Sequence, residues 1–171
     1  MQQLHARIRN IADFPSPGIQ FKDITPLLKD PVALKLAVES LSRPFRNNEV
    51  TAVVGMEARG FIFGSLVARE LGVGFVPLRK PGKLPFEVER IAYDLEYGAA
   101  ELEVHIDALD TTDRVVLIDD LIATGGTALA ACKLVEKLGA EVLACSFVIE
   151  LNGLGGREKL ATYNIYSLIK C

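Results

Sequence analysis

Cysteine and histidine are scarce in this 171-residue chain, with three of the first and two of the second. The cysteines (Cys132, Cys145 and Cys171) stand far apart without a Cys-x-x-Cys pair, and neither His5 nor His105 lies near them in the sequence. That pattern argues against a structural zinc site or a disulfide framework, and for a reducing compartment. Neither His105 nor Cys171 is expected to have a special role. No apolar run approaches membrane-spanning length, and the polar start "MQQLHARIRN" does not read as a secretory signal. The formal net charge is −3, so no global basic field favours nucleic acid or an anionic membrane. Together these absences describe a cytoplasmic chain with no nucleic-acid and no membrane partner, in which any bound anion must be gripped locally.

What is present is the composition of a globular protein: 50% of residues are hydrophobic and 24% charged. No internal repeat or low-complexity linker divides the chain, so residues 1–171 read as a single domain. Leu4, Ile8 and Ile11 follow helical spacing and predict a short amphipathic N-terminal helix. A loop with Pro15, Pro17 and Gly18 precedes "IQFKDITPLL". Asp30-Pro31 then opens a helix with Leu34, Val38, Leu41 and Phe45 on one face. "TAVVG" is a buried strand, "GFIFGSLVARELG" a helix closed by Gly72, and "VGFVPL" another strand. Between Arg90 and Ile106 the apolar residues alternate with polar ones on either side of Gly98-Ala99-Ala100, predicting a two-stranded excursion more solvent-facing than the other strands. After Arg114–Ile118, the chain is predicted to run through a helix from about Gly125 to Leu138 and the strand "EVLACSFVIEL". A short helix around "GGREKLA" and the strand "YNIYSLI" close it. Alternating strands and helices predict an α/β fold with a mostly parallel central sheet flanked by helices. Ligands of such sheets bind beyond the carboxyl ends of the strands.

One such end is "RVVLIDDLIATGGT" (Arg114 to Thr127). Gly125 and Gly126 let the backbone turn its N–H groups inward, and the following helix start adds unpaired donors and partial positive charge. With Ala123, Thr124 and Thr127 they form a pocket for a phosphate monoester that needs no lysine. Neither the Gly-x4-Gly-Lys-Ser/Thr loop nor the GxGxxG fingerprint is present. Taken alone, Thr-Gly-Gly reads equally as a turn with a capping threonine. Asp119 and Asp120 add what the loop lacks. Neighbours on a strand face opposite ways, so they are no shared-proton dyad. A carboxylate ending an apolar strand is costly unless it is used. Two acceptors beside a phosphate pocket suit the hydroxyls of a ribose 5-phosphate, with a hydrated Mg²⁺ nearby.

"VVLIDDLIATGGT" resembles the binding motif for phosphoribosyl pyrophosphate (PRPP) in type I phosphoribosyltransferases. "FPSPGIQFKDITPLLKDP", "GMEARGFIFG", "LRKPGKLP", "LEYGAAELEVHIDAL" and "GREKL" resemble, in order, the adenine-specific members of that family and cover nearly the whole chain. The resemblance implies the type I phosphoribosyltransferase fold with a small β-hairpin hood at about 80–108, and a base-binding segment at about 1–30. It implies adenine and PRPP as substrates, AMP and pyrophosphate as products, Mg²⁺ carried by PRPP with no direct protein ligand, and a homodimer.

The same resemblance nominates residues. Phe21 is placed against the base with Gln20 and Lys22 beside it and Leu121 on the other face; residue type alone would make Phe21 a core residue. An aromatic face suits a flat purine, and a backbone donor–acceptor pair prefers a 6-amino over a 6-oxo base. Glu57, Ala58 and Arg59 fall on the pyrophosphate loop, where the family often has Asp-Ser in place of Glu57-Ala58, so a hydroxyl contact is lost. Arg79, Lys80 and Lys83 fall on a pyrophosphate clamp in which Pro81 stands where a basic residue is common; alone they read as a solvated turn. In the hood, Glu96 and Tyr97 cover the site. Glu96 is nominated with Arg59 as catalytic, Glu96 for proton exchange at the base, although by residue type it reads equally as a polar hairpin residue. Two alternatives remain open: a 6-oxopurine phosphoribosyltransferase, for which Lys22 would be a marker, and a PRPP-binding regulator without turnover.

Overall fold

The computed structural model describes residues 2–47, 49–95 and 98–171. At the N-terminus a single helical turn, α1 (Gln2–His5), is followed by two short antiparallel strands, β1 (Arg9–Ala12) and β2 (Gln20–Asp23). The predicted amphipathic helix thus stops early. Leu4 is fully buried as expected, but Ile11 lies on β1 opposite Phe21. Pairing with β2 across the proline-containing loop overrides the helical spacing.

Helices α2 (Thr25–Lys29) and α3 (Pro31–Ser42) come next, followed by a 3₁₀ turn at Arg43–Phe45. The Asp30 carboxylate caps α3 by accepting from Val32 N–H at 3.0 Å and Ala33 N–H at 3.1 Å. Then follow β3 (Ala52–Met56), α4 (Arg59–Leu71), β4 (Gly74–Leu78), the antiparallel pair β5 (Val88–Leu95) and β6 (Gly98–His105), and β7 (Arg114–Ile122). The chain ends with α5 (Gly126–Lys137), β8 (Glu141–Glu150), α6 (Gly156–Lys159) and β9 (Ile165–Lys170). Gly72 closes α4 in the left-handed conformation, as the sequence predicts.

The central sheet has five parallel strands in the order β4-β3-β7-β8-β9. Alternating strand residues serve two cores. Val53, Val116 and Ile118 pack with Phe63 and Val67 of α4 and Val38 and Leu41 of α3. Val54, Leu117 and Phe147 pack with Ala131 and Leu134 of α5. The β5–β6 pair leans on this second core through Leu102 and Val104, both buried. The pair is still more solvent-facing than β3, β7 and β8, as its alternation suggested, with Val88 to Tyr93 all half-buried or exposed.

The connection from β3 leads outward to β4, whereas β7 leads the other way to β8 and β9. The topological switch point lies between β3 and β7, and a ligand crevice belongs beyond their carboxyl ends. Among the described residues, no helix is long and apolar enough to cross a membrane.

Candidate active site

β7 runs four residues past the apolar stretch, so Asp119, Asp120 and Leu121 lie on the strand itself, still in register with β8. The turn after Ile122 ends at Gly125, whose φ of +77° is the left-handed region that glycine favours. α5 starts at Gly126 with no acidic residue in its first turn. Asp119, Leu121 and residues 122–128 line a cavity of about 160 Å³. Backbone donors, the helix start and two threonine hydroxyls converge there, as an anion site requires.

The two aspartates lie on opposite faces of β7 but remain electrically linked. Asp120 is only 2% exposed. Its N–H donates to Asp119 Oδ1 at 2.8 Å. Its Oδ2 faces Arg59 Nε at 3.0 Å as an ion pair and receives no hydrogen bond. Burial pushes the Asp119 carboxyl well above the ordinary carboxylate range, and the neighbouring Asp120 charge adds to the rise. Burial also raises Asp120, with the Arg59 guanidinium opposing the shift. Both carboxyls thus keep acceptor capacity that the protein itself does not fill.

At the end of β3 the Glu57–Ala58 peptide is cis, and α4 begins at Arg59. Gly60 brings this helix start against β7: a Cβ there would lie 2.8 Å from Ile118 O and 2.9 Å from Asp119 Oδ1. Glu57 turns toward the basic turn. Its carboxylate accepts from Lys83 Nζ, from Lys80 N–H at 2.9 Å and from Arg79 Nη2 at 3.5 Å. Burial would raise the Glu57 carboxyl, but these hydrogen bonds outweigh it and bring the pKa down to about 2. The Arg79 guanidinium also lies over the Phe61 ring, 5.9 Å from its centroid. Ala58, Arg59, Lys80, Asp119, Asp120 and Thr127 share a second cavity of about 290 Å³ with Glu57, Tyr93 and Ala100. Residues from the loop after β3, the start of α4, the turn after β4, β7, α5 and the β5–β6 pair therefore meet in one trough at the switch point.

Phe21, on β2, is half-buried and belongs to neither core. The Phe14 ring meets it edge-on at 5.1 Å, and the Arg59 guanidinium lies 5.3 Å from its centroid. A single arginine thus links the aromatic ring, the loop after β3 and Asp120. Gln20 is exposed, and Lys22 Nζ donates to Asn10 Oδ1 at 2.7 Å across the small sheet. Leu121 packs against the α3–α4 core. Glu96 and Tyr97 lie outside the described residues. Two aromatic residues at the site were not singled out from the sequence. Tyr93 approaches Thr127, their hydroxyls 3.4 Å apart, and Phe14 packs on Phe21. The alternation that built β5 was the available signal for Tyr93; nothing local marks Phe14.

A family model described as the phosphoribosyl transferase domain matches residues 27–169. The chain belongs to the phosphoribosyl transferase family. Within the family, it is 66% identical to an adenine phosphoribosyltransferase of Methylococcus capsulatus and 62% identical to one of Nitrosococcus oceani, each over 99% of both chains. A crystal structure of the Rhodothermus marinus adenine phosphoribosyltransferase superposes with a TM-score of 0.95 at 51% identity, over 99% of this chain and 97% of that one. The five-stranded parallel sheet with its flanking helices and small antiparallel additions is the type I phosphoribosyltransferase fold.

Proposed function

We infer that this chain transfers the 5-phosphoribosyl group of PRPP to adenine, forming AMP and pyrophosphate. The observation that carries this reading is the trough at the switch point. There a backbone anion pocket, two carboxyls with spare acceptor capacity and a cluster of cations meet beside a half-exposed aromatic ring.

Ala123 to Thr127 take the 5′-phosphate, and Asp119 and Asp120 take the ribose hydroxyls. Ala58 through its backbone, with Arg59, Arg79, Lys80 and Lys83, receives pyrophosphate. Glu57 contributes by holding those cations rather than by touching an anion itself. Phe21 and Leu121 enclose adenine, while Gln20 and Lys22 supply backbone groups to its edge, a role that leaves the Lys22 side chain free to bind Asn10. As pyrophosphate leaves, C1′ gains oxocarbenium character and a base nitrogen attacks it. Glu96 and Tyr97 close over that step, and the Glu96 carboxyl exchanges a proton at the base.

Mg²⁺ fits the donor set in a limited way. Among the described residues no three His, Cys, Asp or Glu side chains assemble as a metal site. The unpartnered Asp120 Oδ2, with the Asp119 carboxyl lining the same cavity, is a hard donor suited to an ion that arrives with phosphate oxygens and keeps its water. When bound, Mg²⁺ neutralises charge on the leaving pyrophosphate. A homodimer and a cytoplasmic setting complete the reading; the latter accords with three free cysteines.

The test is pyrophosphate release from PRPP across a purine panel. Adenine should support turnover and hypoxanthine little or none, because a 6-oxo group would face a donor pattern built for a 6-amino group. Equal rates would favour the 6-oxopurine reading, and PRPP binding without turnover on any purine would favour the regulator.

A further inference from the structure

"GREKL" (Gly156 to Leu160) forms α6, which lies behind the phosphate loop rather than in it. The contact is made backbone to backbone. A Cβ on Gly156 would overlap the Ala123 carbonyl oxygen, and a Cβ on Gly125 would lie 2.7 Å from the Gly156 carbonyl oxygen. The loop that must present its N–H groups to an anion is therefore braced by a glycine of another element.

A helix of four residues does not hold itself. Arg157 anchors it to the sheet. Its Nε donates to Glu150 Oε1 at 2.8 Å and its Nη2 to Oε2 at 2.6 Å, a two-pronged pairing at the end of β8. Nη1 donates to the Ile165 carbonyl at 3.2 Å, and Ser167 Oγ donates to Glu150 Oε2 at 2.5 Å. Glu150 is 6% exposed, so its end of this anchor is shielded from water, while Arg157 is 39% exposed. Leu160, fully buried, pins the other end of the turn.

We propose that Glu150 and Arg157 are positioning residues for the 5′-phosphate, holding α6 so that Gly156 fixes the backbone of the Ala123–Thr127 loop. This rests on the reading that the loop takes that phosphate. A glycine-rich loop has much conformational freedom to lose on binding, and bracing it beforehand removes part of that cost.

Steady-state kinetics and ligand binding with the purified protein test the pair. Arg157→Ala should raise KM for PRPP and Kd for ribose 5-phosphate about tenfold, the equivalent of about 1.4 kcal/mol. The KM for adenine and the Kd for pyrophosphate should stay within twofold. Arg157→Lys should recover only part, because an ammonium cannot pair with both oxygens. Glu150→Gln combined with Arg157→Ala should bind ribose 5-phosphate no worse than Arg157→Ala alone, since the residues act as one unit. If Arg157→Ala does not fold, the Lys variant carries the same comparison. Variants that lower Tm but bind ribose 5-phosphate like the parent overturn the proposal. So does an equal loss for adenine, which would mark a merely structural role. Thr127→Ala separates the two layers. If it leaves ribose 5-phosphate binding intact, the loop reading fails and this inference with it. If it weakens binding while the Arg157 variants do not, the inference alone fails.

Discussion

Glu150 at the end of β8 and Asp120 near the end of β7 are similarly buried, 6% and 2% exposed, yet their oxygens meet different surroundings. Glu150 is filled by Arg157 and Ser167, with Lys170 3.8 Å away, and these partners lead by the Arg157 hydrogen bonds to a pKa of about 2. Asp120 has one ion pair to Arg59 and an oxygen without a hydrogen bond, and burial pushes it upward, as it does Asp119 more strongly. Burial is common to both centres, so burial does not separate scaffold from site. Satisfaction does: a filled carboxylate holds structure together, whereas one left short of donors keeps acceptor capacity for a ligand at a cost in stability.

The comparison is broken or upheld most strongly by the aspartates. Asp119→Asn and Asp120→Asn should each lower kcat/KM for PRPP about a hundredfold, because a hydrogen bond to a charged group is worth about 1.5–3 kcal/mol. They should also raise Tm. The sign follows from the raised folded-state pKa: folding favours the neutral acid, so ionisation at pH 7 costs stability, and the neutral amide removes that cost. In the Asp119→Asn variant the amide carbonyl can still accept from the Asp120 N–H. Calorimetry beside kinetics decides it. A loss of both activity and Tm would place the aspartates in the structural class with Glu150.

Glu150→Gln should weaken PRPP binding too, but should move Tm the opposite way. Removing the buried acceptor of a pair whose arginine is 39% exposed should cost about 1–3 kcal/mol, and Tm should fall accordingly. The pH dependence has its own sign. A carboxyl depressed to about 2 contributes stability that is complete above the ordinary Glu pKa of about 4.3 and is lost as pH falls through about 2. The parent should lose this contribution on acidification from about pH 4.3, and Glu150→Gln should not. Unfolding midpoints measured between pH 2 and pH 7 would show it. Parallel curves would mean that Glu150 is not the saturated centre the geometry describes.

The contrast also explains how much of the molecule was legible in the sequence. The junction after Ile118 was readable because glycines, threonines and acids break an apolar strand within a few residues, and each carries its own physical cost. That β7 continues to Ile122 was not, because its ladder with β8 carries on beneath the polar residues. Ile8 and Ile11 have helical spacing, yet β1 forms because a partner strand at Gln20–Asp23 folds back onto it. The Glu150–Arg157 anchor was invisible for a similar reason: its geometry depends on where β8 ends beside β9, and no local period records that. The alternation in the excursion showed two strands but not that Leu102 and Val104 would be covered by the α5 core.

Glu57 is the borderline case, and it should give the smallest effect. The resemblance put it among the pyrophosphate residues, but its carboxylate is 8% exposed and tied to Arg79, Lys80 and Lys83, with a pKa of about 2. By the criterion of satisfaction it belongs with Glu150, as a scaffold for cations. Its cations are as open to water as Arg157 at 39%, with Arg79 32% and Lys83 45% exposed, so water screens part of each pairing. Glu57→Gln keeps an acceptor for the Lys80 N–H but loosens Arg79 and Lys83. The Kd for pyrophosphate should therefore rise only about threefold, less than 1 kcal/mol, with the KM for adenine unchanged. Tighter pyrophosphate binding would reverse the assignment. It would mean that Glu57 competes with the substrate for those cations, and that a filled carboxylate can act as a gate as well as a strut.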